Sequence, residues 1–182
     1  MTYDPNKHHR RSIRLKEYDY SSAGAYFITI CTYNKEYILG DIIHGEMRSN
    51  EYGMIVENEW VKTAEIRSNI IIDKYIVMPN HVHGIIIILD DGRDTEHRVP
   101  TFEQFGRPTS NSIPTIIRSF KAVTKKRINE TRKSYGKTVW QSQFYEHIIR
   151  NKDELDKIRQ YIINNPLQWE FDKENPDNTK WQ

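Results

Sequence analysis

Apolar positions along the chain change their period several times, and each change marks an element. Ala25 to Tyr33, AYFITICTY, is β-branched and aromatic almost throughout, as in a strand buried on both faces. Asn34 and Lys35 punctuate it, and Tyr37 to Ile43 is expected to pair back as a short strand. From about Asn50 to Ile66 the period lengthens: Tyr52, Val56, Trp60 and Ala64 recur every four residues, which predicts an amphipathic helix. Ile70 to Val77 and Val82 to Leu89 are apolar runs on either side of Met78 to His81, the pattern of a β-hairpin. Asp90 to Asn111 carries Gly, Pro, Asp and Thr without an apolar period and reads as a long connection.

Ser112 and Pro114 announce a second helix running to about Glu130, with Ile113, Ile116, Ile117, Phe120 and Val123 as its stripe. Thr138 to Ile149 reads as extended. Asn151 with Glu154 three residues later resembles a helix-start box, and Leu155, Ile158 and Ile162 carry the last helix to Pro166. The polar tail from Glu170, which holds Trp181, is expected to be loose. Strand and helix signals in this order predict an α+β fold, with helices packed on the faces of a central antiparallel sheet.

Composition narrows the class. At 182 residues the chain has room for one core, and 29% charged against 37% hydrophobic residues suits a soluble globular protein. Apolar runs such as Ile85 to Leu89 fall far short of the roughly 18 residues that span a bilayer, so no membrane association is expected. The opening MTYDPNKHHRRSIRLK is basic without a following apolar segment; no secretory signal is expected, and the expected compartment is the cytoplasm. A single cysteine, Cys31, excludes an internal disulfide and a cysteine-based zinc cluster, so any metal must have nitrogen and oxygen ligands.

Net charge is only +2, but the basic residues are segregated. Lys7, Arg10, Arg11, Arg14 and Lys16, with His8 and His9, form a basic arm. Between Arg118 and Lys137, eight lysines and arginines, among them Lys121, Lys125, Lys126 and Arg127, face one acid, Glu130. Charge alone is equally consistent with phosphate contacts and with a solvated helix face.

Two stretches carry candidate chemistry. In MPNHVHGIIII, His81 and His83 are two apart on a strand, so their rings project on one face about 6 to 7 Å apart and could grip one metal ion. The spacing by itself is weak, since histidine pairs on exposed hairpins are common. On the last helix Tyr161 and Asn165 are one turn apart beside Ile158 and Ile162, on the side that meets the sheet. Such a tyrosine could be a nucleophile and the amide a ligand; equally, the one could be core and the other a helix end cap. Trp140 and Phe144 read as core, and His147 as a hydrogen-bonded structural histidine.

Taken in order, YFITICTYNKEYILGDI, PNHVHG, FKAVTKKRIN and VWQSQFYEHIIRNKDELDKIRQYIINNP resemble the REP-associated tyrosine transposases. These are a branch of the single-tyrosine, histidine–hydrophobic–histidine (HUH) transposases, relatives of relaxases and rolling-circle initiators. The resemblance covers Ala25 to Trp169 and implies a ferredoxin-like HUH fold. It divides the chain into a basic arm (1–24), an HUH transposase/nuclease domain (25–169) and a C-terminal tail (170–182). His81 and His83 would be the metal-binding pair, Tyr161 the nucleophile, and Asn165 the residue that completes the metal site, where the wider superfamily often has glutamine.

The implied activity is a metal-dependent single-stranded DNA endonuclease and strand transferase with a covalent 5′-phosphotyrosine intermediate. Its implied partner is single-stranded or hairpin DNA related to repetitive extragenic palindromes, and its implied state monomer or homodimer. Arg10, Arg11, Lys121, Lys125, Lys126 and Arg127 are the candidate DNA contacts. The family implies Mg²⁺ or Mn²⁺, whereas two imidazoles by themselves favour zinc, nickel or copper. Two other readings are a domesticated hairpin-binding protein without chemistry, which the complete set of four site residues opposes, and a zinc hydrolase indifferent to Tyr161.

Overall fold

The structure, a computed structural model, describes residues 18–90 and 109–178. Its centre is a four-stranded antiparallel sheet built from β1 (Gly24–Cys31), β4 (Ile70–Met78), β5 (His81–Ile88) and β6 (Tyr145–Ile149), in the spatial order β4-β5-β1-β6. With α1 (Glu51–Glu65) after β1 and α2 (Ile113–Thr131) after β5, the succession is strand-helix-strand-strand-helix-strand, the ferredoxin-like arrangement. A third helix, α3 (Lys152–Asn164), follows, and a 3-10 turn, Pro166–Phe171, ends it.

Strand alternation sorts the side chains between two cores. Tyr26, Ile28 and Ile30 of β1 and Val82, Ile86 and Ile88 of β5 join Val56 and Trp60 of α1 and Ile116, Ile117 and Phe120 of α2 in the larger one. Phe27, Ile85 and Ile149, on the opposite face, meet Ile162 of α3 with Leu155 and Ile158 beside it. Gly84 makes the closest helix–sheet approach possible: a Cβ there would lie 2.3 Å from Cζ2 of Trp60, which is fully buried. Gly84→Ala is therefore expected to destabilise by about 1–3 kcal/mol through overpacking. A fall in Tm of about 2–4 °C per kcal/mol should show this in calorimetry.

Helix starts agree with the sequence. Asn50 Oδ1 accepts from the backbone N–H groups of Tyr52 (2.9 Å) and Gly53 (3.0 Å), and Asn151 Oδ1 accepts from that of Glu154 (2.9 Å). Two expectations are corrected. The segment ending at Ile43 does not pair with β1; β2 (Gly40–Ile43) pairs with β3 (Glu46–Ser49) in a separate ribbon. His44 and Gly45 turn it with φ of 53° and 77°, a pair of positive values that closes a two-residue hairpin and keeps β2 with its immediate neighbour.

Nor are the residues from Glu170 loose as far as Asn178: Asp172, Asn175 and Asn178 are all buried. Each backbone N–H of these three donates to the carbonyl three residues earlier, starting from Trp169, which makes a strap of successive turns. Tyr37 ties it down by donating to Asn175 Oδ1 (2.6 Å) and Asp177 Oδ2 (2.9 Å). No helix among the described residues is long and apolar enough to cross a membrane. Trp181, most of the 90–111 connection and the basic arm with Arg10 and Arg11 lie outside the described residues.

Candidate active site

Three pieces of chain converge at one end of the sheet: the start of β5, the end of α3 and the strap. His81 and His83 open β5 directly after the Pro79–Asn80 turn, and both are fully buried, their rings 4.3 Å apart. Tyr161 Oη lies 3.1 Å from His83 Nε2 within the same chain. Asn165, one turn on, donates from Nδ2 to Asp172 Oδ2 at 2.7 Å. Arg159, two residues before the tyrosine, holds α3 to β4 by donating from Nε to Asp73 Oδ2 at 2.8 Å. The four residues expected from the sequence, His81, His83, Tyr161 and Asn165, thus stand together.

Hydrogen bonds orient the two imidazoles. Asn80 Nδ2 donates to the carbonyls of Lys35 (3.1 Å) and Glu174 (2.8 Å), which leaves its Oδ1 to accept from His81 Nδ1 at 2.8 Å. The His81 proton therefore sits on Nδ1, and the Nε2 lone pair is exposed to the site. That Nε2 is buried with no hydrogen-bond partner among the described residues, and so is Asn165 Oδ1. His83 Nδ1 lies 2.9 Å from Thr29 Oγ1, its neighbour on β1. A donor there leaves Nε2 of His83 also directed into the site.

Two buried acceptors without partners are costly unless something electrophilic meets them. His81, His83 and the buried carboxylate of Asp172 present ligand atoms all within 4.8 Å of one another. Two imidazole nitrogens, a carboxylate and the Asn165 amide oxygen form a donor set suited to a divalent cation. Asp172 is the residue the sequence reading missed. Its signal was the three-residue step of Asp172, Asn175 and Asn178, which a loose polar tail has no reason to keep. Asn80 and Thr29 were missed for a different reason: their roles depend on strand register and turn geometry.

Electrostatics match a site built for a cation. Burial, with the charges of Lys35 and Lys173, pushes His81 down to about 3, and burial with His81 beside it drives His83 well below its ordinary value against the opposing pull of Asp172. Both imidazoles are neutral, as ligands must be. Burial, then Asp172, raises the Tyr161 phenol above its ordinary value. A phenol held this way needs positive charge nearby before it loses its proton.

A stability prediction follows from His81. Its folded value lies below the unfolded one, so its contribution is complete above pH 6.5 and is lost as pH falls towards 3. Urea unfolding of the metal-free chain at pH 5 should therefore give about 2 kcal/mol less stability than at neutral pH from this group. His81→Gln should flatten the dependence.

The candidate DNA contacts divide. Lys121 Nζ donates to the carbonyls of Gln141 (2.9 Å) and Gln143 (2.8 Å), and the exposed Arg127 pairs with Glu59 at 2.7 Å, so both side chains have partners within the protein. Lys125 and Lys126 are on the same helix, and Lys126 reaches Glu130 at 3.9 Å. Trp140 is core, its Nε1 donating to Thr124 Oγ1 at 2.8 Å. His147 joins β6 to the start of α3 through Glu154 at 2.7 Å.

A sheet of this topology, with paired histidines beneath a helix-borne tyrosine, matches the ferredoxin-like HUH fold expected from the sequence. No family model matches the chain. An uncharacterized protein of Haemophilus influenzae (strain Rd) is 40% identical over 176 residues, covering 94% of this chain and 96% of that one. A second protein of that strain, provisionally named a REP-associated tyrosine transposase, is 27% identical over 152 residues, 82% of this chain and 73% of its own length. The solved structure of a REP-associated tyrosine transposase bound to a REP hairpin shares the fold, with TM-score 0.57 and 19% identity over 90% of this chain and 77% of that one. The chain is thus similar to REP-associated tyrosine transposases in sequence and shares the fold of one of them. That similarity supports a DNA-processing, transposase-type function at the coarse level.

Proposed function

We propose that the chain is a metal-dependent single-stranded DNA endonuclease and strand transferase, cutting hairpin or REP-like DNA through a covalent 5′-phosphotyrosine at Tyr161. The observation that carries this is the 3.1 Å approach of Tyr161 Oη to His83 Nε2 in one chain. His81, His83, Asp172 and Asn165 would hold the ion, Mg²⁺ or Mn²⁺ in this reading, with the two partnerless atoms as its best-prepared ligands. A bound divalent cation would draw charge from the non-bridging oxygens of a phosphodiester and favour the phenolate.

The protein's own part is positional. Packing of Ile158 and Ile162 and the Arg159–Asp73 pair fix α3, so Tyr161 needs no long search to meet a phosphorus. Its oxygen forms the new bond to phosphorus while the bond to the 3′-oxygen breaks. The phenolic proton passes to solvent or to Asp172, 3.4 Å away, and the departing oxygen takes up a proton as a 3′-hydroxyl. Because the phosphotyrosine is itself an ester, the same or another 3′-hydroxyl can reverse the step without ATP.

To test this, the protein is incubated with Mn²⁺ and a pool of hairpins carrying randomised single-stranded flanks. A covalent adduct should survive denaturation, its tryptic mass should place DNA on the peptide containing Tyr161, and sequencing should give the target. EDTA should abolish it. Cleavage without an adduct would mean water is the nucleophile. Tight binding without cleavage would mean a domesticated binding protein. Either outcome overturns the proposal.

A further inference from the structure

Across the sheet, Ile76, His83, Thr29 and Tyr145 stand in one row, one residue from each strand. Strand alternation therefore puts Tyr145 on the face that carries the histidines, two strand spacings, or about 10 Å, from His83. Phe27 lies between: its ring is 6.1 Å from that of Tyr161 and 6.3 Å from that of Tyr145. The two phenols thus flank the same ring. Unlike Phe27, at 8% exposure, Tyr145 is 44% exposed and belongs to neither core.

Tyr145 also has a cation. Lys173 Nζ sits 5.1 Å from its ring centroid, and the charge of Lys173 is felt at both His81 and His83. Lys173 directly follows Asp172 on the strap, and its backbone carbonyl, which accepts from Lys35 Nζ at 3.1 Å, holds its main chain beside the site. An exposed cation–π contact is weak enough for an ammonium to exchange the ring for a phosphate oxygen. An exposed aromatic face beside a mobile ammonium is the combination with which proteins hold unpaired nucleotides.

We propose that Tyr145 and Lys173 form a subsite for one unpaired nucleotide next to the phosphate that Tyr161 attacks. The Tyr145 ring stacks on the base and Lys173 binds a phosphate of the same strand. The proposal rests on the strand-transferase reading and adds to it a determinant of where on a single strand the cut falls. The edge position of β6 fits, since a strand of DNA can approach from the open side of the sheet.

The test uses the target captured above, remade as a series with a single abasic site at each position around the cut, and measures the rate of adduct formation. With the wild-type chain one position should be sensitive, losing roughly five- to a hundredfold. Tyr145→Leu should lose a similar factor on intact DNA and show no further loss at that position, while Tyr145→Phe keeps the wild-type pattern. Lys173→Gln, a surface change that serves if Tyr145→Leu fails to fold, should raise the DNA concentration needed and lessen its salt dependence.

Equal rates for Tyr145→Leu and wild type, or abasic losses that add to that of the variant, would overturn the subsite and leave the nuclease reading standing. Absence of any wild-type adduct would remove both.

Discussion

Tyr161→Phe will bind the captured hairpin as the wild type does and form no covalent adduct, with the rate of strand cleavage falling at least about 10³-fold, to background. Removing a nucleophile has this effect because neither orientation nor charge stabilisation can replace the atom that makes the bond. Phenylalanine is the informative substitution here. It keeps the ring contacts with Phe27 and His83 and removes only the oxygen that meets His83 Nε2 and Asp172. Tyr161 is 37% exposed, and the ring that remains in phenylalanine keeps its packing. Gel-shift and denaturing-gel measurements on the same samples separate binding from chemistry. An adduct in Tyr161→Phe would assign the nucleophile elsewhere.

Asp172→Asn is the second large effect, and the one that the family motifs do not suggest. Asp172 accepts from Asn165 Nδ2 and Tyr161 at one oxygen and from the backbone N–H of Glu174, at 2.6 Å, at the other. It also stands 4.0 Å from His83 Nε2. Asparagine keeps the shape but removes the charge and turns one acceptor into a donor. Mn²⁺ affinity, read by titration calorimetry, should fall about 10- to 100-fold, and adduct formation with it. Destabilisation of about 1–3 kcal/mol from the lost acceptor should appear in urea unfolding without metal. Unchanged Mn²⁺ affinity would remove Asp172 from the ligand set and leave it as an orienting group for Asn165.

Both effects bear on how much of the site the sequence disclosed. His81 and His83 were legible because a strand's period of two is local, and Tyr161 and Asn165 because a helical turn is local. The motifs then implied that two such pairs, some eighty residues apart, belong together. Asp172 was invisible for the opposite reason. It lies in a segment with no apolar stripe, where the polar three-residue step names no role for any of its members, and it acquires meaning only when the strap folds back over β5, pinned by Tyr37, Lys35 and Asn80. Charge shows a related limit: the sequence places Lys121 and Arg127 on a basic helix, and only the fold gives their partners, two loop carbonyls and Glu59.

Local periodicity by itself determined the elements, the hairpin that presents the histidines and the face of α3 that carries the tyrosine, because each needs only neighbours along the chain. Tertiary structure alone decided the rest. Packing of α3 on the sheet brings phenol and imidazole within 3.1 Å in one chain. Asn80 sets the proton on His81, and the strap's burial delivers a carboxylate to two acceptors that have no partner. Those are distances between residues remote in sequence, fixed by which apolar surfaces bury one another, and no local pattern encodes them.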